Sequence, residues 1–258
     1  MKNIAEIGLL VLSTIKKLTG KNVKYSLDDN YKSNQLSHHI WNALLKKYVA
    51  DNGLVNYKGF KKEKHSLEEY TVLLSKNPPS KNWTRNEQLA YWINAYNAFT
   101  VLLIIEHYPV KSIKEIGGNI PMINSVWDIK FFKIGELDFD LDTIEHDILR
   151  KQFDEPRIHF AINCAAISCP RLRNEAYSAI ELEEQLEEQT IFFINNSTYN
   201  LISSNKVKLS KIFDWFKSDF TKNQTIFEFL EKYVSFKFNN GVILEYFEYN
   251  WKLNEIKN

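Results

Sequence analysis

"TRNEQLAYWINAYNAFTVLLIIEHYP", residues 84–109, is the stretch on which the fold turns. Its spacing predicts one long helix, ended by Pro109, whose ring cannot continue the backbone hydrogen-bond ladder. At 100° per residue, Leu89, Trp92, Tyr96, Phe99 and Leu103 share one apolar face. The opposite face carries Glu87, Ala90, Asn94, Ala98 and Val101, with Asn97 at its edge. That strip is small and sparsely polar, unlike a solvent face. A helix apolar nearly all round is buried, so 86–107 is expected at the centre of the molecule with Glu87, Asn94 and Asn97 inside. Buried amides and carboxylates must find partners. The strip therefore either locks the core through a polar network or lines a site.

Outward from this helix, "SHHIWNALLKKYVADNG" has helical spacing through Ile40, Leu44, Leu45, Tyr48 and Val49, stopped at Asn52-Gly53. "SLEEYTVLLSKNPPS" is a helix closed by Pro78-Pro79. "WDIKFFKIGELDFDLD" alternates around Gly135 and predicts a hairpin. "LDTIEHDILRKQF" predicts a helix with Asp142 at its N-cap and Glu145 completing a capping box. "RIHFAIN" is expected to be a buried strand. "AIELEEQLEEQTIFFINN" is a helix, "NKVKLSKIFDWFKSDF" a strand and a helix, "TIFEFLEKYVS" a helix and "GVILEYFEYNW" a last strand. The expected fold class is α+β: a helix-dominated single domain over 38–258 with a small, mostly antiparallel sheet. Residues 1–37 are expected to form an N-terminal helical segment. Within it, "MKNIAEIGLLVLSTIKKLTGKN" is too short and too interrupted for a membrane span or a clean secretory signal. A cytoplasmic location is the expectation, with an uncleaved anchor or export as the alternative.

The chain of 258 residues carries a net charge of +1 and no long basic run, which argues against a nucleic-acid binder. Aromatic residues reach 14%, so rings should fill the core. Both cysteines lie in "RIHFAINCAAISCPRLR", residues 157–173. On a strand, Arg157, His159, Ala161 and Asn163 would share one face, leaving Cys164 at the strand end among small residues. Four readings of the pair stay open. Cys164 can be a nucleophile favoured by a nearby His or Arg, drawn from His146, His159, Arg150, Arg157 and Arg171. His159, Cys164 and Cys169 can begin a zinc site, although no second pair completes it. Cys164 and Cys169 can form a disulfide, or both can be packed thiols. No metal and no cofactor is expected.

Taken together, "NEQLAYWINAYNAFTV", "IEHDILR", "RIHFAINCAAISCPRLRNEAY" and "YFEYNWKLN" resemble the family known as DUF547, found in bacteria and plants. The resemblance runs from about residue 38 to the C-terminus. It implies that Glu87, Trp92, Asn94, Tyr96, Asn97, Glu145, His146, Arg150, Cys164, Ser168 and Pro170 are the positions that matter. The usual block has Gly-Ser where this chain has Ala165-Ala166, which leaves less backbone freedom after the cysteine. A Cys, a His, a Glu and two Asn are the parts of a thiol hydrolase or acyl transferase of papain or transglutaminase type, by analogy and in a different chain order. On that analogy Cys164 attacks a carbonyl, His146 moves its proton and Glu87 or an Asn orients the imidazole. Asn94 or Asn97 stabilises the oxyanion, and Arg150, His159 and Ser168 bind. The partner would be an amide, a peptide or a thiol-containing small molecule. A non-catalytic ligand- or peptide-binding module using the same pocket is the alternative.

Overall fold

The computed structural model describes residues 35–117 and 125–257. The N-terminal segment's expected helix, residues 1–34 of it, lies outside the described residues. Four helices open the described chain: α1 (His39–Tyr48), α2 (Tyr57–Lys62), α3 (Lys64–Lys76) and α4 (Arg85–His107). Helix α4 buries 16 of its 23 residues, on every face, so it is the axis of the first core. It alone among the described residues is long and apolar enough to cross a membrane, and its apolar window is enclosed by the rest of the molecule. Its start is set by a capping box: Thr84 Oγ1 accepts from the Glu87 N–H, and Glu87 Oε2 accepts from the Thr84 N–H.

Aromatic rings build the surrounding layer. Trp41 of α1 stacks on Tyr70 of α3, with ring centres 5.9 Å apart. The hairpin β1 (Phe132–Ile134) and β2 (Leu137–Phe139) turns at Gly135, whose φ of 58° a glycine adopts freely. Phe132 and Phe139 of this hairpin pack on Phe99 and Trp92 of α4.

A second core gathers around Phe160, which meets Phe193, Phe213, Phe220 and Phe229. It is framed by α7 (Leu182–Asn195), three short helices, α8 (Ile212–Trp215), α9 (Lys217–Phe220) and α10 (Ile226–Leu230), and a three-stranded sheet. The strands run β3 (Leu201–Ile202), β4 (Lys206–Leu209), β5 (Ile243–Tyr246) across the sheet. β3 and β4 are antiparallel, whereas β4 and β5 are parallel. Parallel neighbours need a long crossover, and α8 to α10 supply it. With this sheet and the hairpin, the molecule is α+β and helix-rich.

Two local expectations give way. "RIHFAIN" is not a strand: Ile158–Ala161 is one helical turn, α6, preceded by hydrogen bonds from His159 N to Pro156 O and Phe160 N to Arg157 O. A short apolar run reads equally as buried strand or buried helix, and Pro156 with Arg157 starts the turn. The helix near residue 143 does form, but Thr143–Leu149 is π-helical and runs on into α5 (Arg150–Gln152). The Arg150 N–H reaches back five residues to Glu145 O. Asp142 makes no side-chain cap; Asp140 Oδ1 accepts from the Thr143 N–H instead.

Beyond β5 the chain runs back across the molecule as a strap. Ile167 N donates to Lys252 O, Asn254 N to Ala165 O, Leu253 N to Lys111 O and Val55 N to Asn254 O. The strap thereby ties the cysteine loop to the segments following α1 and α4.

Candidate functional site

The strap, the π-helix and the cysteine loop enclose a cavity of about 210 Å³. Cys164, Glu145, His146, His159, Tyr96 and Tyr249 all line it.

The cysteine loop is held by amides. Asn97 of α4 donates to Ala161 O (3.0 Å) and accepts from the Asn163 N–H (2.8 Å). Asn163 Oδ1 accepts from the Ala165 N–H (2.9 Å) and its Nδ2 donates to Pro170 O (2.7 Å). Ala165 is forced to φ 61°, a left-handed conformation that costs an alanine about 1–2 kcal/mol. The glycine-like turn is thus made here by an alanine.

Both thiols are free. Cys164 is partly exposed in the cavity and Cys169 is buried behind it, 5% exposed. Their sulfurs are 3.1 Å apart, and Tyr249 Oη lies 3.2 Å from Cys164 Sγ. The Cys169 hydrogen bond holds the Cys164 thiol below its usual range. Burial opposes this, Tyr249 and the Ala166 N–H assist, and the Glu145 charge opposes. Burial and the neighbouring sulfur push Cys169 well up, so of the two thiols Cys169 is the one that keeps its proton.

The two imidazoles differ in what they present. His146 Nδ1 accepts from Arg150 Nη1 at 2.8 Å, so its proton sits on Nε2, 3.7 Å from Asp142 Oδ1. His159 is 2% exposed and donates through Nε2 to Asp219 Oδ2 at 2.8 Å. Asp219 must be the acceptor, because Arg150 also grips it through Nε (2.6 Å) and Nη2 (2.9 Å). Burial works against the Asp219 charge, but the Arg150 and His159 hydrogen bonds outweigh it and hold the carboxyl well below its usual range. His159 Nδ1 is left as a buried atom with no hydrogen-bond partner. Burial lowers the His159 pKa, Asp219 partly offsetting it, so Nδ1 carries a bare lone pair.

Several expected site residues belong elsewhere. Glu87 caps α4 and lines a different cleft, with His38 and Trp83; it does not orient an imidazole. Asn94 is spent on both backbone groups of Tyr177, at 2.8 Å and 3.0 Å, and Asn97 on the loop, so neither amide is available to an oxyanion. Ser168 binds the strap through the Asn250 N–H (2.9 Å). Arg150 stands behind the cavity wall, linking His146 to Asp219. Neither imidazole is among the hydrogen-bond partners of Cys164 Sγ, so His146 does not contact the thiol as its proton acceptor. Among the described residues, no three His, Cys, Asp or Glu side chains group to hold a metal ion.

Residues 80–194 match the family model described as "Protein of unknown function, DUF547". The matched segment contains three of the four resembling blocks, including Glu145, His146, His159 and Cys164, and excludes the fourth, residues 246–254. Tyr249 and Trp251 thus complete the cavity from outside the matched segment, and Asp219, also outside it, holds the His159 imidazole. No curated protein and no solved structure matches the chain. Reading the residues one at a time did not single out Asp219 or Tyr249. Tyr249 lay inside a resembling block, but only the strap's path shows what it touches.

Proposed function

We propose that the protein is a cysteine-dependent acyl transferase or hydrolase acting on an amide, peptide or thiol-containing small molecule. The observation that carries this reading is one cavity lined both by a thiol supplied with hydrogen-bond donors and by a carboxylate-backed imidazole with a free lone pair. The proposed roles follow from the partners of each group. Cys164 attacks the acyl carbon, forming a C–S bond. His159 Nδ1 takes the thiol proton and returns it to the leaving group, while Asp219 fixes the tautomer and stabilises the imidazolium. His146 offers its Nε2–H to the developing oxyanion, since its Nδ1 is held by Arg150. This moves the proton-transfer role from His146 to His159. Water or a second nucleophile then releases the acyl group.

The test uses p-nitrophenyl acetate as an acyl donor, with peptide mass mapping. The expected result is an acetyl adduct on Cys164, its absence in Cys164→Ser, and slowed turnover with a displaced pH profile in His159→Gln. An unmodified Cys164, or acetylation of Cys169 instead, sinks the enzyme reading and leaves the non-catalytic binding module.

A further inference from the structure

Part of the cavity wall is built of indole and phenol rings. Trp215 and Trp251 stack with centres 5.8 Å apart, Tyr249 lies 4.4 Å from Trp251, and Trp127 meets Trp251 edge-on at 5.4 Å. All four line the cavity. The negative face of an aromatic ring attracts a cation, and these rings bring several such faces to one side of the cavity, one face of Trp251 being taken by Lys114.

The charges that line the same cavity are carboxylates. Asp142 and Glu145 do so, and among the described residues no lysine or arginine does. The hydrogen bond to Glu145 comes from the Tyr96 phenol, 3.1 Å away, and burial pushes the Tyr96 pKa well up, so that phenol is neutral. Arg150, behind the wall, is paired at two points with Asp219, and its charge also acts on Glu145 and Asp142. Lys114 does approach the rim: its ammonium sits 3.7 Å from the Trp251 ring centre. It shows that an indole of this cluster accepts a cation on its face.

Aromatic faces and carboxylates in one partly dehydrated space favour a positively charged organic group and disfavour an anion. We infer that the substrate of this site carries an alkylated or protonated ammonium group, held between the tryptophan cluster and Glu145 next to the carbon that Cys164 attacks. This rests on the reading of Cys164 as the reacting group. A neutral group of the same shape gains the ring contacts but not the attraction to charge, and a carboxylate meets repulsion from Asp142, Glu145 and the thiolate.

The experiment compares alkylation of Cys164 by iodoacetamide (neutral), iodoacetate (anionic) and (2-bromoethyl)trimethylammonium (cationic), each normalised to its rate with N-acetylcysteine. The cationic reagent should gain about tenfold over iodoacetamide, as expected for a cation–π site with a carboxylate, and iodoacetate should lose. Tetramethylammonium should protect Cys164 from iodoacetamide and quench tryptophan fluorescence, whereas tert-butanol at the same concentration should do neither. Glu145→Gln should move two readouts in opposite directions. The cationic advantage shrinks, while iodoacetamide labels faster, because the Glu145 charge opposes the thiolate. Because unfolding would also erase the cationic advantage and expose the thiol, the pair counts only with a wild-type circular dichroism spectrum and an unchanged urea midpoint in Glu145→Gln. Equal normalised rates for the three reagents, or a preference for iodoacetate, overturn the inference while leaving the nucleophile reading intact. If iodoacetamide does not label Cys164 at all, the nucleophile reading falls, and the fluorescence titration alone then decides whether the cavity binds a cation.

Discussion

At the scale of single residues, Cys169 supports a neighbour five positions earlier. Cys169→Ala removes the largest influence that lowers the Cys164 pKa, so the midpoint of Cys164 alkylation against pH should rise toward or above the free-thiol value of about 8.5. Tyr249→Phe should raise it as well, by less. His146→Ala should leave that midpoint in place and slow acylation instead, because His146 makes no hydrogen bond to the sulfur and its proposed role is at the oxyanion. Iodoacetamide labelling across pH, followed by mass spectrometry, separates these outcomes. A midpoint unmoved by Cys169→Ala would mean that the pair does not share a proton. Ala165 is the other informative residue. Its φ of 61° suits glycine, so Ala165→Gly should stabilise the fold by roughly 0.5–1 kcal/mol, the relief of strain exceeding the entropy gained by the unfolded chain. Urea melts check the sign.

Among the elements, α4 locks the core through amides that never meet solvent. Asn94→Leu strands both backbone groups of Tyr177, and a loss of roughly 1–3 kcal/mol is expected from buried groups without partners. Denaturant unfolding that shows no loss would mean the Tyr177 groups find other partners. The sequence made α4, the flanking helices and the hairpin legible, since periodicity and Pro109 or Gly135 mark them directly. It made the cysteine loop legible as a site and misread its backbone, because "RIHFAIN" alternates as well as it coils. The capping signals show the same limit. Thr84 and Glu87 make a real box, whereas Glu145 three residues after Asp142 bonds Tyr96 of α4. A local pattern competes with tertiary partners that only the folded chain supplies, and Asp219 on His159 is such a partner.

For the whole molecule, acid should weaken the fold well before the carboxylates titrate. Burial lowers the His38 pKa to about 4, and its ring bonds the Tyr70 hydroxyl at 2.7 Å. The unfolded chain takes up this proton near 6.5, whereas the folded one resists until about 4. Stability is therefore fully present above 6.5 and declines as pH falls through this window. The decline from this group should be roughly 1–3 kcal/mol, discounting for partial exposure. His159 acts in the same direction. Urea midpoints at pH 7.5 and 4.5 should converge in His38→Gln relative to wild type; an unchanged difference would exclude His38 as a source.

The strap that carries Tyr249 and Trp251 also imposes an order in time. Asn254, whose N–H closes the loop onto Ala165, is 90 residues later in the chain than Cys164 (254 minus 164). At roughly 5–20 residues per second, a ribosome needs about 5–20 s to bridge that interval. A nascent chain therefore exposes Cys164 first as an ordinary thiol. Tyr249 and Trp251 reach it only after synthesis has passed the strap and the strap has docked. On the proposed function, the chemistry is withheld from the growing chain, and a product stalled before residue 249 would be inert however well its first core had formed.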